Sequence, residues 1–435
     1  MSRLARKLRE ASRHLTLGFT LVELMVALTG GLFVSVAVFM LAKQATGLYQ
    51  SEARMSNATL GSVVGFERLR LDIERAGFLT SPNLRHDPKR CGVSDASWPA
   101  YLSKLAGIYI AATDTTALPV QQGNHITPYE ITLAGSYASA DSFPTHSIVS
   151  TGTNHVVQLE TTFGGMARLG YQNMTTPETQ KALLDTVFGA GRALRIVDPE
   201  GNEQYGTIAS TTGGQYPTIL LQPTSPNLLY RGTNTTLKCG VIGTGLQHTA
   251  NVVNFVHYSI RNMTGNARFA PIFSAGTTTA GAGALPTTDV GRTELVREEL
   301  NTNGDPIDGT QELIAEFAVD LSFGVTVSQI ATGQAGNSLE QLVNFAPGAP
   351  TTAWAGDTTT MDATHGPQRI RGVRARLSVR SREADRIGGM PDGGGIIGPG
   401  LFRIAVGAGG KAPFARVRTV QADIAIRNQR GVAWL

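Results

Sequence analysis

Gly18-Phe19-Thr20-Leu21-Val22-Glu23-Leu24-Met25-Val26-Ala27-Leu28-Thr29-Gly30-Gly31-Leu32-Phe33-Val34-Ser35-Val36-Ala37-Val38-Phe39-Met40-Leu41-Ala42 is an apolar run with one acid, Glu23, near its start. Phe19 to Ala42 is 24 residues, about 36 Å of helix, which is enough to cross a bilayer. The segment before it holds Arg3, Arg6, Lys7, Arg9 and Arg13 against Glu10. That basic bias keeps the N-terminus in the cytoplasm and puts everything after Lys43 outside. An isolated carboxylate in hydrocarbon costs about 2.5–3.5 kcal/mol, so Glu23 needs a partner.

A local partner is at hand. Thr20 and Glu23 have the spacing of a capping box, which starts a helix. A cleaved secretory signal peptide is the competing reading, and it requires small residues after the apolar core. Ala45-Thr46-Gly47 fits that poorly, and an acid inside the core argues against it. Gly30 and Gly31 allow another helix to come close, or are simply tolerated in a membrane span.

The helical pattern runs past the membrane. Leu60, Val63, Phe66, Leu69 and Ile73 recur at spacings of three and four, with Glu67, Arg68, Arg70, Asp72, Glu74 and Arg75 on the other faces. Gly77 and Pro82 supply the stop. One helix is expected from about Thr20 to Arg75, on the order of 80 Å long. Its second half lays an apolar stripe on a globular head.

The remainder reads as mainly β. Gly107–Ala112, Ile126–Leu133, His155–Thr161, Ala193–Asp198, Tyr205–Ser210 and Pro217–Gln222 are short apolar runs between turn residues. Thr176 and Pro177 open a head helix over Glu178–Phe188. A second group of strands is expected at Asn251–Asn262, Thr293–Leu300, Glu316–Val327, Val373–Arg380 and Thr419–Arg427. Linker-like composition occurs at Ser274–Thr288, Gln329–Asp357 and Gly388–Gly400. The expected fold class is α+β: a long N-terminal helix packed on a large, mainly antiparallel β head. The expected divisions are residues 1–18, the helix over 19–80, a β-rich elaboration over 81–250 and a C-terminal β-rich head over 251–435.

Low charge, 16%, and 50 glycines suit a loop-rich protein outside the cytosol better than a cytosolic enzyme. The net charge is +4. Residues 1–18 alone carry that +4, and 4 − 4 = 0 leaves the rest neutral. The high pI therefore gives no argument for nucleic acid. The two cysteines, Cys91 and Cys239, fall on the expected outer side, where one disulfide can persist.

Gly18-Phe19-Thr20-Leu21-Val22-Glu23 resembles the processing site of the type IV pilin superfamily. The resemblance implies that a prepilin peptidase cuts after Gly18 and methylates the new terminus at Phe19. It also implies that Glu23 sets assembly register. In physical terms, cleavage frees a positive amine at Phe19, and a staggered neighbour's Glu23 can meet it. Such a pair fixes register more than it adds stability.

Asn254–Ile260, Leu295–Leu300, Ile314–Phe323, Arg371–Arg382 and Thr419–Asn428 are similar, more loosely, to successive blocks of PilW-type minor pilins. Residues 90–250 carry no resemblance. The likeness implies a bacterial inner-membrane precursor that works in assembly, not catalysis. Its head would lie in the periplasm and then on the pilus. Its partners would be other minor and major pilins, the inner-membrane assembly platform and a tip adhesin. The pilus functions served, such as twitching motility, would be indirect consequences. A type II secretion pseudopilin of the J type shares the helix and the leader. An adhesin or enzyme on an uncleaved anchor is the remaining alternative.

Reactive groups give little. His14, His86, His125, His146, His155, His248, His257 and His365 form no metal-ligand spacing, and no nucleophile elbow occurs. No cofactor is expected. Pro391-Asp392-Gly393 to Gly400 is glycine-rich but lacks the Lys-Ser/Thr ending of a phosphate loop. Asn301, Asn303, Asp305 and Glu312 echo a calcium loop, but Pro306 stands where that loop needs Gly. A polar β-connection is the expected reading, with an irregular Ca²⁺ site as the alternative. Arg371, Arg374, Arg376, Arg380 and Arg382 read as a solvated strand face. Contact with DNA phosphates or an acidic partner is the alternative.

Overall fold

A helix, α1, runs from Leu21 to Arg75 without a proline to break it. In this computed structural model the described residues are 20–92, 98–151, 154–223, 228–230, 239–242, 248–272, 291–330, 340–358, 361, 365–382, 386–391, 400–404 and 411–429. Residues 1–19, with Gly18 and Phe19, lie outside them, as do the linker-like stretch 274–288 and most of the glycine-rich tract. The chain divides into two units, Met1–Ser56 and Asn57–Leu435. Gly77, with φ +76°, ends α1 and donates its N–H to Ala134 O at 2.9 Å.

In the first unit the described apolar side chains of α1, Leu21 through Tyr49, are exposed. The second unit holds the last turns of α1 and all of the described β structure. Two further helices matter: α2, Pro177–Val187, and α3, Ala349–Ala355. Thr176 caps α2 by accepting from Thr179 N, and Pro177 fills the first turn, where no N–H is needed.

Among the described residues there are sixteen strands in chain order: β1 Ile108–Ala112, β2 Tyr129–Gly135, β3 Phe143–Thr151, β4 Asn154–Leu159, β5 Ala193–Val197, β6 Glu203–Thr212, β7 Thr218–Leu221, β8 Thr249–Arg261, β9 Glu294–Leu300, β10 Glu312–Ala315, β11 Ala318–Ile330, β12 Glu340–Phe345, β13 Ile370–Arg380, β14 Arg386–Pro391, β15 Leu401–Arg403 and β16 Lys411–Ala425. All ladder pairings among them are antiparallel. The class is α+β, with one long apolar N-terminal helix and large antiparallel sheets.

Strand β8 serves two assemblies. Its first half pairs with β5 and β3, and β3-β4-β7-β6-β5 returns to it, so the hydrogen bonds close a ring. Its second half pairs with β2 and β9 in a sheet ordered β1-β2-β8-β9-β10. Residues on both sides of position 250 therefore share one hydrogen-bonded system. The other sheet is ordered β12-β11-β13-β16-β14, with β15 also on β16. The tract 329–357, linker-like by composition, contains β12 and α3.

Two large cores result. Phe66, Leu69 and Ile73 of α1, with Ala76 just past its end, join Ile110, Ile131, Tyr258 and Leu295 from one sheet and Phe323, Val373, Leu377 and Ile424 from the other. A second core fills the ring with Ile148, Val157, Leu194, Ile208 and Ile219, and α2 adds Leu184 and Val187.

The expected stripe on α1 is corrected in its first turns. Leu60 is 66% exposed and Val63 42%. Ser62 and Gly65 take the buried positions instead, in line with Leu69, Asp72 and Ala76.

Candidate assembly site

The start of α1 is a reciprocal cap. Glu23 N donates to Thr20 Oγ1 at 3.2 Å. Glu23 Oε2 accepts from Thr20 N and from Thr20 Oγ1, both at 3.0 Å. The carboxylate thus has a local partner within a single chain. A second partner on a neighbour would have to compete with a hydroxyl and one N–H, both short-range and neutral.

From Leu21 to Tyr49 the helix is long and apolar enough to cross a membrane. Its hydroxyls fold back on the backbone, as a lipid setting requires. Thr29 Oγ1 donates to Met25 O at 2.9 Å, Ser35 Oγ to Gly31 O at 2.8 Å and Thr46 Oγ1 to Ala42 O at 2.8 Å. A methyl group added at Gly30 or Gly31 would meet nothing within 4 Å. Those two glycines are a notch that no described part of this chain fills.

The last turns of α1 are seated by polar as well as apolar contacts. Asp72 Oδ2 accepts from Arg297 Nε at 2.8 Å and from Tyr258 OH at 2.8 Å. The side chains of Arg297 and Asp72 are only 7% and 3% exposed. Tyr137 OH donates to Asp72 O at 2.8 Å, and the Arg75 guanidinium lies 5.3 Å from the Tyr137 ring centre. Burial raises the Tyr258 phenol, and the Asp72 charge raises it further. Burial alone would lower Arg297, but the Asp72 carboxylate reverses this and raises it. Arg297 thus keeps its charge, and with Asp72 and Tyr258 it forms a buried latch between α1 and strands β8 and β9.

Gly65 completes the seat. A Cβ there would stand 2.8 Å from Ile314 O and 3.0 Å from Ala315 Cβ, so only glycine lets α1 lie this close to β10. Neither Gly65 nor the latch stands out in the sequence. Asp72, expected on a polar face, is instead buried on the face that carries Leu69 and Ile73, because Arg297 and Tyr258 meet its carboxylate there.

The remaining candidates separate. Cys91 and Cys239 form a disulfide, with sulfurs 2.03 Å apart. Asn301 Oδ1 accepts from Asn303 N and Asp305 N, while Glu312 sits 3.5 Å from Arg297 and 3.8 Å from Arg68. That geometry is a polar β-connection. Among the described residues no group of three or more His, Cys, Asp or Glu is placed to hold a metal ion. Arg374 binds Asp423 at 2.7 Å and Arg376 binds Asp320 at 2.9 Å, while Arg380 is buried over the Phe317 ring. The arginines therefore alternate with carboxylates across the sheet. An open groove of about 550 Å³ crosses this sheet, bordered by Thr326, Leu342, Gly372, Asp423 and Ala425.

His257 carries a pH dependence. Burial first, and the Arg261 guanidinium second, push it down to about 3. Glu130 lies 3.8 Å away but is itself desolvated, with its carboxyl raised, so it does not hold a proton on the ring. The unfolded chain protonates this histidine near its ordinary value of about 6.5, well before the folded chain does. Its contribution is complete above about pH 6.5 and is lost as pH falls towards about 3, a few kcal/mol in all. Urea midpoints of wild type and His257→Gln, compared near pH 7 and pH 4, should show the smaller acid loss in the variant. Equal losses would contradict this.

No family model, curated protein or solved structure matches this chain.

Proposed function

We propose that this chain is a minor pilin of the PilW type, which primes assembly of a type IV pilus and sits in its tip complex. The observation that carries the reading is the start of α1. An acid at Glu23 opens an exposed apolar helix, directly after the Gly18-Phe19 processing motif. The peptidase removes residues 1–18, and the amine freed at Phe19 pairs with Glu23 of a neighbouring subunit. The Thr20 cap holds Glu23 until that exchange.

The helix then builds the fibre core with other minor and major pilins. Gly30 and Gly31 give it a site of close approach. The precursor spans the bacterial inner membrane with its N-terminus in the cytoplasm, and the head faces the periplasm. The Cys91–Cys239 disulfide is at home in that oxidising compartment. The work is assembly and not catalysis. It needs no cofactor, and direct contact with nucleic acid is not expected. The head contacts the assembly platform and a tip adhesin.

A deletion strain should lose surface fibres, and wild-type chain supplied in trans should restore them. Chain carrying Glu23→Gln should enter fibres at a small fraction of the wild-type frequency. Normal fibres in the deletion strain would sink the pilus reading. Normal fibres with a loss of protein secretion would assign the chain to the related secretion apparatus.

A further inference from the structure

The ring of strands has an outer wall with an unusual composition. Strands β3, β4 and β7 contain no Asp, Glu, Lys or Arg, and neither does any residue from Gln204 to Gln222. Water-facing sheet surfaces commonly carry such charges. Inward, Ile148, Val157 and Ile219 fill the core. Outward, Ser147, Gln158 and Thr218 stand in register across three strands, with Val149, Val156 and Leu220 in the next row. Both outward rows are half-buried or exposed.

One end of this wall is rimmed by aromatic rings, His146 from β3 and Tyr216 and Phe163 from braced turns. His146 and Tyr216 stack with ring centres 3.6 Å apart and planes 12° from parallel. Glu160 Oε1 accepts from Thr161 N and Thr162 N at 3.0 Å and from Thr162 Oγ1 at 2.7 Å. Its Oε2 lies 3.4 Å from His146 Nδ1. Thr161 Oγ1 donates to Gln215 O at 3.2 Å, which ties the Phe163 turn to the Tyr216 loop. Yet Phe163 at the tip of this turn is 51% exposed. Holding an aromatic side chain in water on a fixed turn gains nothing for folding. It is the arrangement of a pre-organised contact.

We propose that this wall and its rim bind a neutral oligosaccharide. Charge complementarity makes the choice. The outward rows of β3, β4 and β7 carry no ionic group, and the Glu160 carboxylate beneath the rim is already taken up by Thr161, Thr162 and His146, so the face gains little from phosphate, acidic lipid or a charged peptide. A neutral sugar offers C–H faces for the Phe163 and Tyr216 rings and hydroxyls for Ser147, Gln158, Thr218 and Gln215. The site is formed by β3, β4, β7 and the turns at 160–163 and 215–216, and it is independent of the pilus reading.

Calorimetric titration of the full chain in detergent with maltotetraose, cellotetraose and chitotetraose tests this. At least one should bind saturably, with an affinity that changes less than about twofold between low and high salt. Phe163→Ala and Tyr216→Ala should each weaken that binding by about tenfold or more at unchanged melting temperature. Gln158→Leu, away from the rim, serves if a rim variant fails to fold. Failure of all three sugars to bind overturns the proposal. So does binding that survives the Phe163→Ala/Tyr216→Ala double variant. Loss of a co-purifying protein subunit from these variants, with flat sugar titrations, would make the wall a protein interface and overturn it as well.

Discussion

Asp72→Ala should lower the stability of the folded chain by about 3–5 kcal/mol, because it leaves the Arg297 guanidinium buried without its carboxylate. The Tyr258 hydroxyl loses its acceptor in the same step. Glu312, 3.5 Å from Arg297 Nη1, offsets part of the loss, but its side chain is 47% exposed and its pull is screened. Exchanging both partners, as Asp72→Leu with Arg297→Met, should recover most of the deficit, since a buried ion pair is often matched by apolar groups of similar volume. Denaturant midpoints of the two single variants and the double variant measure this cycle. A midpoint for Asp72→Ala within about 1 kcal/mol of wild type would contradict the latch.

Removing the disulfide is the other large change. Cys91 and Cys239 are 148 positions apart. Closing a loop of that length restricts the unfolded chain by about 5 kcal/mol in the chain-entropy view. The bond also anchors the segment containing Val241 and Ile242, which pack into the ring's core. Cys91 N bonds to Glu203 O at 2.9 Å, so the bridge is tied to the start of β6. The Cys91→Ala/Cys239→Ala protein should therefore unfold at clearly lower denaturant, and reductant should shift wild type to match. A double variant that unfolds with wild type would show that the bond constrains nothing.

Local rules made much of the fold legible. The Thr20–Glu23 box, the unbroken run to Arg75 and the Gly77 stop mark α1 within a residue at each end. Thr176 and Pro177 mark α2, and alternation marks β13 and β16. The misses are non-local. Strand β3 contains Pro144, which reads as a breaker, but it sits next to the strand's start, where its missing N–H costs little. β12 is a short edge strand inside a tract rich in Gly, Ala and Thr, and that surrounding composition makes it look like a linker. No local pattern reports that β8 closes a ring with one half and joins a different sheet with the other.

The face of α1 is the clearest lesson. Leu60 and Val63 fit an apolar stripe by spacing, yet Gly65 decides which side touches the sheet. A glycine contributes backbone approach, which a hydropathy pattern does not register. Leu60, Val64 and Leu71 are left on one exposed face, at 66%, 63% and 52%.

The most direct test of the assembly account is the intact mass of the chain extracted from its native membrane. A chain that begins at Phe19 and carries one added methyl group is the expected result, and Gly18→Ala should leave the precursor whole. A wild-type chain that still begins at Met1, or a Gly18→Ala chain processed like wild type, would contradict it.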